Sequence, residues 1–135
     1  MHASNIIRLD DIDTATIADV INAGATRYDG VIPDDQYSEP YMSVQELEAE
    51  RQEMGFFGVK ESGELQGVIG LQATQGVTLI RHLYVRPPVQ QQGVGSALLS
   101  FALDQRHHEP TYVGTWRAAT WAINFYESRG FENLG

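Results

Sequence analysis

The chain of 135 residues has no cysteine. That excludes disulfides, thiolate metal sites and a cysteine nucleophile, and it leaves the redox compartment open. No apolar run approaches the ~20 residues of a membrane span. The N-terminus has no basic segment followed by an apolar one, so no secretory leader is expected and a cytoplasmic location is the default. Cations are scarce: 9 Lys and Arg stand against 18 Asp and Glu, for a net charge of −9. Such a chain repels nucleic acid, and neither a nucleic-acid partner nor a membrane is expected. Repeats, low-complexity tracts and linkers are also lacking, and the length suits one domain over residues 1–135.

The charge is uneven. Residues 1–70 hold 14 acids and 4 bases, while residues 71–135 hold 4 acids and 5 bases. The acidic front could attract a cationic substrate, although acidic surfaces more often serve solubility.

Periodicity orders the elements. Ile6, Ile7 and Leu9 mark a first strand within residues 2–9. Asp13 can cap a helix from Thr14 to Ala25, with Ile17, Val20 and Ile21 on one face. A loop containing Tyr28, Tyr37 and Tyr41 follows. Ser43 and Glu46 form a capping-box pattern for a second helix reaching about Met54. Strands are expected over Phe56–Lys60, Leu65–Ala73 and Val77–Val85. Gly67 and Gly70 inside the second of these suggest a bulge or a close backbone approach. In the third, strict alternation puts Val77, Leu79, Leu83 and Val85 on one face and Ile80, His82 and Tyr84 on the other. A helix over 96–106, a strand over Thr111–Trp116 and a helix over Ala118–Ser128 complete the chain, with Gly130 as its stop. His107 and His108 read as a solvated helix end, not as metal ligands, so no metal is expected.

The organising stretch is Leu83-Tyr84-Val85-Arg86-Pro87-Pro88-Val89-Gln90-Gln91-Gln92-Gly93-Val94-Gly95-Ser96. The prolines stop a strand, a Gln- and Gly-rich turn follows, and a helix begins. A glycine pair there can be only a tight turn. It can also expose helix-start N–H groups to a phosphate. The spacing is neither that of a Walker loop nor that of a dinucleotide fingerprint.

Gln90-Gln91-Gln92-Gly93-Val94-Gly95 resembles the Gln/Arg-x-x-Gly-x-Gly/Ala signature of the GNAT N-acetyltransferase superfamily. Ala122-Ile123-Asn124-Phe125-Tyr126-Glu127-Ser128-Arg129-Gly130-Phe131 is similar to its second hallmark block. The likeness is firm from about Phe56 to Phe131. It implies an α/β fold, a mixed and mostly antiparallel sheet with helices on both faces. The family's pattern continues with another strand for which this chain has no sequence; a truncated chain and an edge completed by another subunit, as in a homodimer, both stay open.

The resemblance implies acetyl-CoA as cosubstrate and transfer of its acetyl group to a primary amine in a ternary complex. The diphosphate would sit on the turn Gln90, Gln91, Gln92, Gly93, Val94, Gly95 and Ser96, and the pantetheine arm would lie along Leu83, Tyr84 and Val85, splayed from the next strand by a bulge. Main-chain N–H groups, not cationic side chains, would grip the diphosphate. Asn124 is a candidate coenzyme contact. Tyr126 matches the family's tyrosine that protonates the leaving thiolate. His82 is the nearest titratable candidate for the base, with Glu39 weaker. Tyr28, Tyr37, Tyr41 and Trp116 could line the acceptor wall. The expected acceptor is a small cationic molecule. Protein or peptide N-acetylation, and a non-catalytic acetyl-CoA-binding module, are the alternatives.

Overall fold

A computed structural model describes residues 6–90, 92–105 and 110–134. Gln91, the His107–His108 pair and residues 2–5 of the expected first strand lie outside the described residues. The sheet runs β1 (Ile6–Arg8), β2 (Gly55–Glu61), β3 (Glu64–Thr74), β4 (Val77–Val85) and β5 (Thr111–Val113), in that spatial order. The first three pairings are antiparallel and β4–β5 is parallel. The α/β expectation of a mostly antiparallel mixed sheet is met.

Helices α1 (Thr14–Ala25) and α2 (Val44–Glu50) cover one face, and α3 (Val94–Gln105) and α4 (Thr120–Glu127) cover the other. Under α1 and α2 lie Ile17, Val20, Ile21, Leu47, Phe56 and Val68. Under α3 lie Val59, Ile69, Ile80, Leu98 and Leu99, joined by Phe125 and Tyr126 of α4. Leu98 is fully buried, and its truncation to alanine should cost about 3 kcal/mol. Gly67 explains how close α3 comes: a Cβ there would stand 2.8 Å from Val94 Cγ1 and 3.1 Å from Leu98 Cδ1. The start of α3 is thereby pressed onto the sheet beside the end of β4.

Four boundaries differ from expectation by two residues or more, one of them the start of α4 at Thr120 instead of Ala118. Helix α2 stops at Glu50, well before Met54. Arg51 is drawn away to Leu9 O (2.7 Å) and Ile12 O (2.8 Å), where it satisfies carbonyls ahead of α1. Helix α3 starts two residues early, at Val94. Strand β5 ends at Val113, three residues short of Trp116.

The alternation in β4 also departs from the sequence pattern. Gly70 faces His82, whereas Leu71 faces Ile80, so Arg81 is an unopposed extra residue. Such a bulge shifts the side-chain period by one. Ile80 consequently packs in the core with Leu83 and Val85 instead of sharing a face with His82 and Tyr84. Gly70 adjoins the bulge, and Gly67 is the close approach.

Candidate active site

Strands β4 and β5 pair only at Thr78↔Thr111, Leu79↔Tyr112 and Ile80↔Val113. The bulge at Arg81 follows immediately. Beyond it the strands part, and a cleft of about 540 Å³ opens with Leu83, Tyr84 and Val85 on one side and Val113, Gly114 and Thr115 on the other. On this side the end of β4 has no strand partner among the described residues. Its main-chain groups can therefore take an extended, amide-bearing ligand as an added strand.

The cleft runs to the start of α3. Pro87–Val89 form one 3₁₀ turn, and Gln90 folds back so that its Nε2 donates to Val85 O at 3.0 Å. Gly93 has φ +90°, a conformation that suits glycine. The first N–H groups of α3 have no partners within the helix. Gln90, Gly93, Gly95 and Ser96 line the cleft. A Cβ on Gly95 would sit 3.7 Å from the Phe125 ring and 3.8 Å from Val85 Cγ2, in the mouth of the cleft. Two expected contacts stand back from the lining. Val94 is 1% exposed and packed in the core, which leaves only its main chain for a ligand. Gln92 is turned to Pro88 O, 3.3 Å from its Nε2.

Helix α4 and the turn after it form the other wall, with Trp121, Ala122, Phe125 and Tyr126 on the helix and Arg129 just beyond it. These positions make one helical stripe. Asn124 lies off the stripe, exposed and outside the cleft lining. Tyr126 packs against Phe125 and Phe131. Burial pushes its phenol well above the usual tyrosine range, and nearby Tyr28 adds to the shift. Beyond Tyr126 the chain closes with Gly130 N–H on Glu127 O (3.1 Å) and Phe131 N–H on Tyr126 O (3.1 Å) around Gly130 at φ +93°.

His82 is not in the cleft lining. Its Nε2 meets Glu50 Oε1 in a close contact, with side-chain exposures of 11% and 24%. Its ring stacks between those of Phe56 and Tyr84. The pair ties α2 to β4. Tyr84 and Tyr28 do line the cleft, with ring centroids 6.3 Å apart. Behind them Tyr41 packs on Tyr28 and on Tyr37, and accepts a hydrogen bond from Trp116 Nε1 at 3.0 Å. Asn22 fastens this loop to α1, donating to Met42 O (2.9 Å) and accepting from Met42 N–H (2.7 Å). Glu39 is exposed on the same loop, outside the cleft lining.

Charge in the cleft inverts that of the chain. Its described lining holds Arg27, Arg81 and Arg129 and no carboxylate. Sequence reasoning did not single out these arginines. Arg129 could have been found from its place on the Tyr126 stripe, one turn further on.

The sheet thus splits beside the start of α3, with Tyr126 among the residues that line the split. The chain belongs to the acetyltransferase (GNAT) domain family, whose model matches residues 22–135. Its fold is similar to that of the ribosomal-protein-S18-alanine N-acetyltransferase of Escherichia coli, with TM-score 0.77 and 19% identity over 96% of this chain and 78% of that one. It is also similar to the PaiA N-acetyltransferase of Thermoplasma acidophilum in complex with coenzyme A, with TM-score 0.70 and 18% identity over 94% and 88%. An aminoglycoside acetyltransferase from an uncultured soil metagenomic sample, in complex with sisomicin, gives TM-score 0.68 and 17% identity over 96% and 91%. At these identities the likeness is one of fold. Among curated proteins, UPF0157 protein YqkA of Bacillus subtilis is 33% identical over 78 residues, 57% of this chain. The match spans only 23% of that relative's length. Among the described residues no helix is long and apolar enough to cross a membrane.

Proposed function

We propose that this chain transfers the acetyl group of acetyl-CoA directly to the primary amine of a small cationic molecule. The observation that carries the reading is the opening between β4 and β5, which leads from the strand edge to the start of α3 behind Gly93. The pantetheine arm pairs along Leu83–Val85, and the diphosphate rests on the N–H groups from Gly93 to Ser96.

The amine nitrogen attacks the thioester carbon. A β4 main-chain N–H near Leu83 stabilises the oxygen as it gains charge. The C–S bond then breaks, and Tyr126 gives its proton to the sulfur. The attacking amine is neutral; its nitrogen becomes cationic as the C–N bond forms, and the proton it then loses passes through water to restore the phenol. We assign it to water and not to His82, because the imidazole is turned to Glu50, outside the cleft lining. Among the described lining residues there is no carboxylate or histidine to take it.

The acceptor enters past Tyr28 and Tyr84, under the loop that carries Tyr37, Tyr41, Asp34, Asp35 and Glu39. Aromatic faces and carboxylates together suit an ammonium. The aminoglycoside acetyltransferase with sisomicin supports such an acceptor. Transfer to a protein or peptide amine is the second reading, favoured by the TM-score of 0.77 with the ribosomal-protein acetyltransferase. Turnover of acetyl-CoA against a panel of polyamines, aminoglycosides and short peptides separates them. Polyamine or aminoglycoside turnover supports the first reading and peptide turnover the second. Coenzyme binding with no turnover on any amine would leave a non-catalytic acetyl-CoA binder.

A further inference from the structure

Arg129 is held in an unusual position for a helix-end cation. Its guanidinium lies 4.0 Å over the Phe125 ring. Nη1 donates to Phe125 O (3.2 Å) and to Ser128 Oγ (2.8 Å). Nη2 reaches across the cleft and donates to Ser96 Oγ in the first turn of α3. Among the described residues these partners are all neutral, so the positive charge stays uncompensated. Arg8 and Arg86 differ, being paired with Asp10 at 3.1 Å and Asp19 at 2.9 Å. The bond to Phe125 O alone would be an ordinary helix-end contact. Stacking and the reach to Ser96 go further, because they fix a forked donor beside N–H groups that already favour an anion.

We propose that Arg129 grips a phosphate of the coenzyme, so that the site selects phosphorylated acetyl donors over the bare pantetheine thioester. This rests on the placement of the diphosphate at α3 given above. It revises the expectation that main-chain amides act there without a cationic side chain. Ser96 acts as the positioning residue: its hydroxyl parks the guanidinium in the free protein and yields it to the phosphate. Arg27 and Arg81, the other cations of the lining, lie over the Trp121 ring and on Gln72 Oε1 respectively, and add a diffuse positive field.

The test compares acetyl-CoA with S-acetylpantetheine, which lacks every phosphate, as donors to an amine found to be turned over. Arg129→Gln should raise the KM for acetyl-CoA about tenfold, the scale of one exposed charge-assisted contact, and leave that for S-acetylpantetheine unchanged. Arg129→Lys, which keeps the charge and loses the fork, should fall between. Equal rises for both donors would show that Arg129 merely ends α4 and would overturn the proposal, as would no change for either. Calorimetry on the unaltered protein keeps the two readings apart. If it binds coenzyme A and Arg129→Gln binds it equally, only this inference fails. If it binds none, the placement of the diphosphate fails first.

Discussion

The helices of the two halves begin differently. In the front half each helix caps itself. Asp13 accepts from Thr16 N–H at 2.7 Å, and Ser43 accepts from Glu46 N–H at 3.1 Å while Glu46 reaches back. Those side chains consume the donors that a helix start leaves over. Helix α3 follows Gly93, which has no side chain to offer. Glycine also frees the approach, so a ligand can come close to the main chain there. A helix start that completes itself holds the fold, and one left incomplete can bind. Helix α4 also starts without a side-chain cap, at Ala119, but faces the cleft with side chains.

Giving α3 a cap of its own should have the largest effect. Gly93→Asp adds bulk, a carboxylate and strain at φ +90°, and should lower affinity for acetyl-CoA by ~100-fold or more in calorimetry. Tyr126→Phe should lower kcat by about 100-fold and leave coenzyme affinity unchanged, in steady-state kinetics beside calorimetry. In the proposed acid role the same phenol should set the alkaline side of the pH profile. Its raised pKa keeps the proton-bearing, active form past pH 10, so the rate should rise as the amine deprotonates without falling below about pH 10. An inflection lost specifically in His82→Gln would instead restore His82 as the base. His82→Gln otherwise should lower the unfolding midpoint, since it breaks the contact with Glu50, and change kcat by less than about threefold. The smallest effect belongs to the front half: Ser43→Ala should cost about 1 kcal/mol in denaturant unfolding with no change in coenzyme affinity.

Much of this arrangement was legible in residue patterns. The caps at Asp13 and Ser43, the strand ending at Pro87 and the helix beyond Gly93 depend on neighbours in sequence, and each stands within two residues of its expected place. What was not legible depends on distant partners. The bulge at Arg81 inverts the facing of Ile80, and alternation alone carries no sign of one extra residue. Helix α2 ends early because Arg51 serves carbonyls some 40 positions away in the chain, Leu9 and Ile12. His82 leaves the cleft for Glu50, 32 positions earlier. Asn124 drops out because its helix turns it outward, and Arg129 comes in because the same turn aims it at Ser96.

Amide chemical shifts during titration with coenzyme A test the contrast between helix starts most directly. Gly93, Val94, Gly95 and Ser96 should move first and furthest, while Thr14–Thr16 at the start of α1 and Val44–Glu46 at the start of α2 stay where they are. Saturable shifts confined to those front helices, with the four amides of α3 unmoved, would contradict the account.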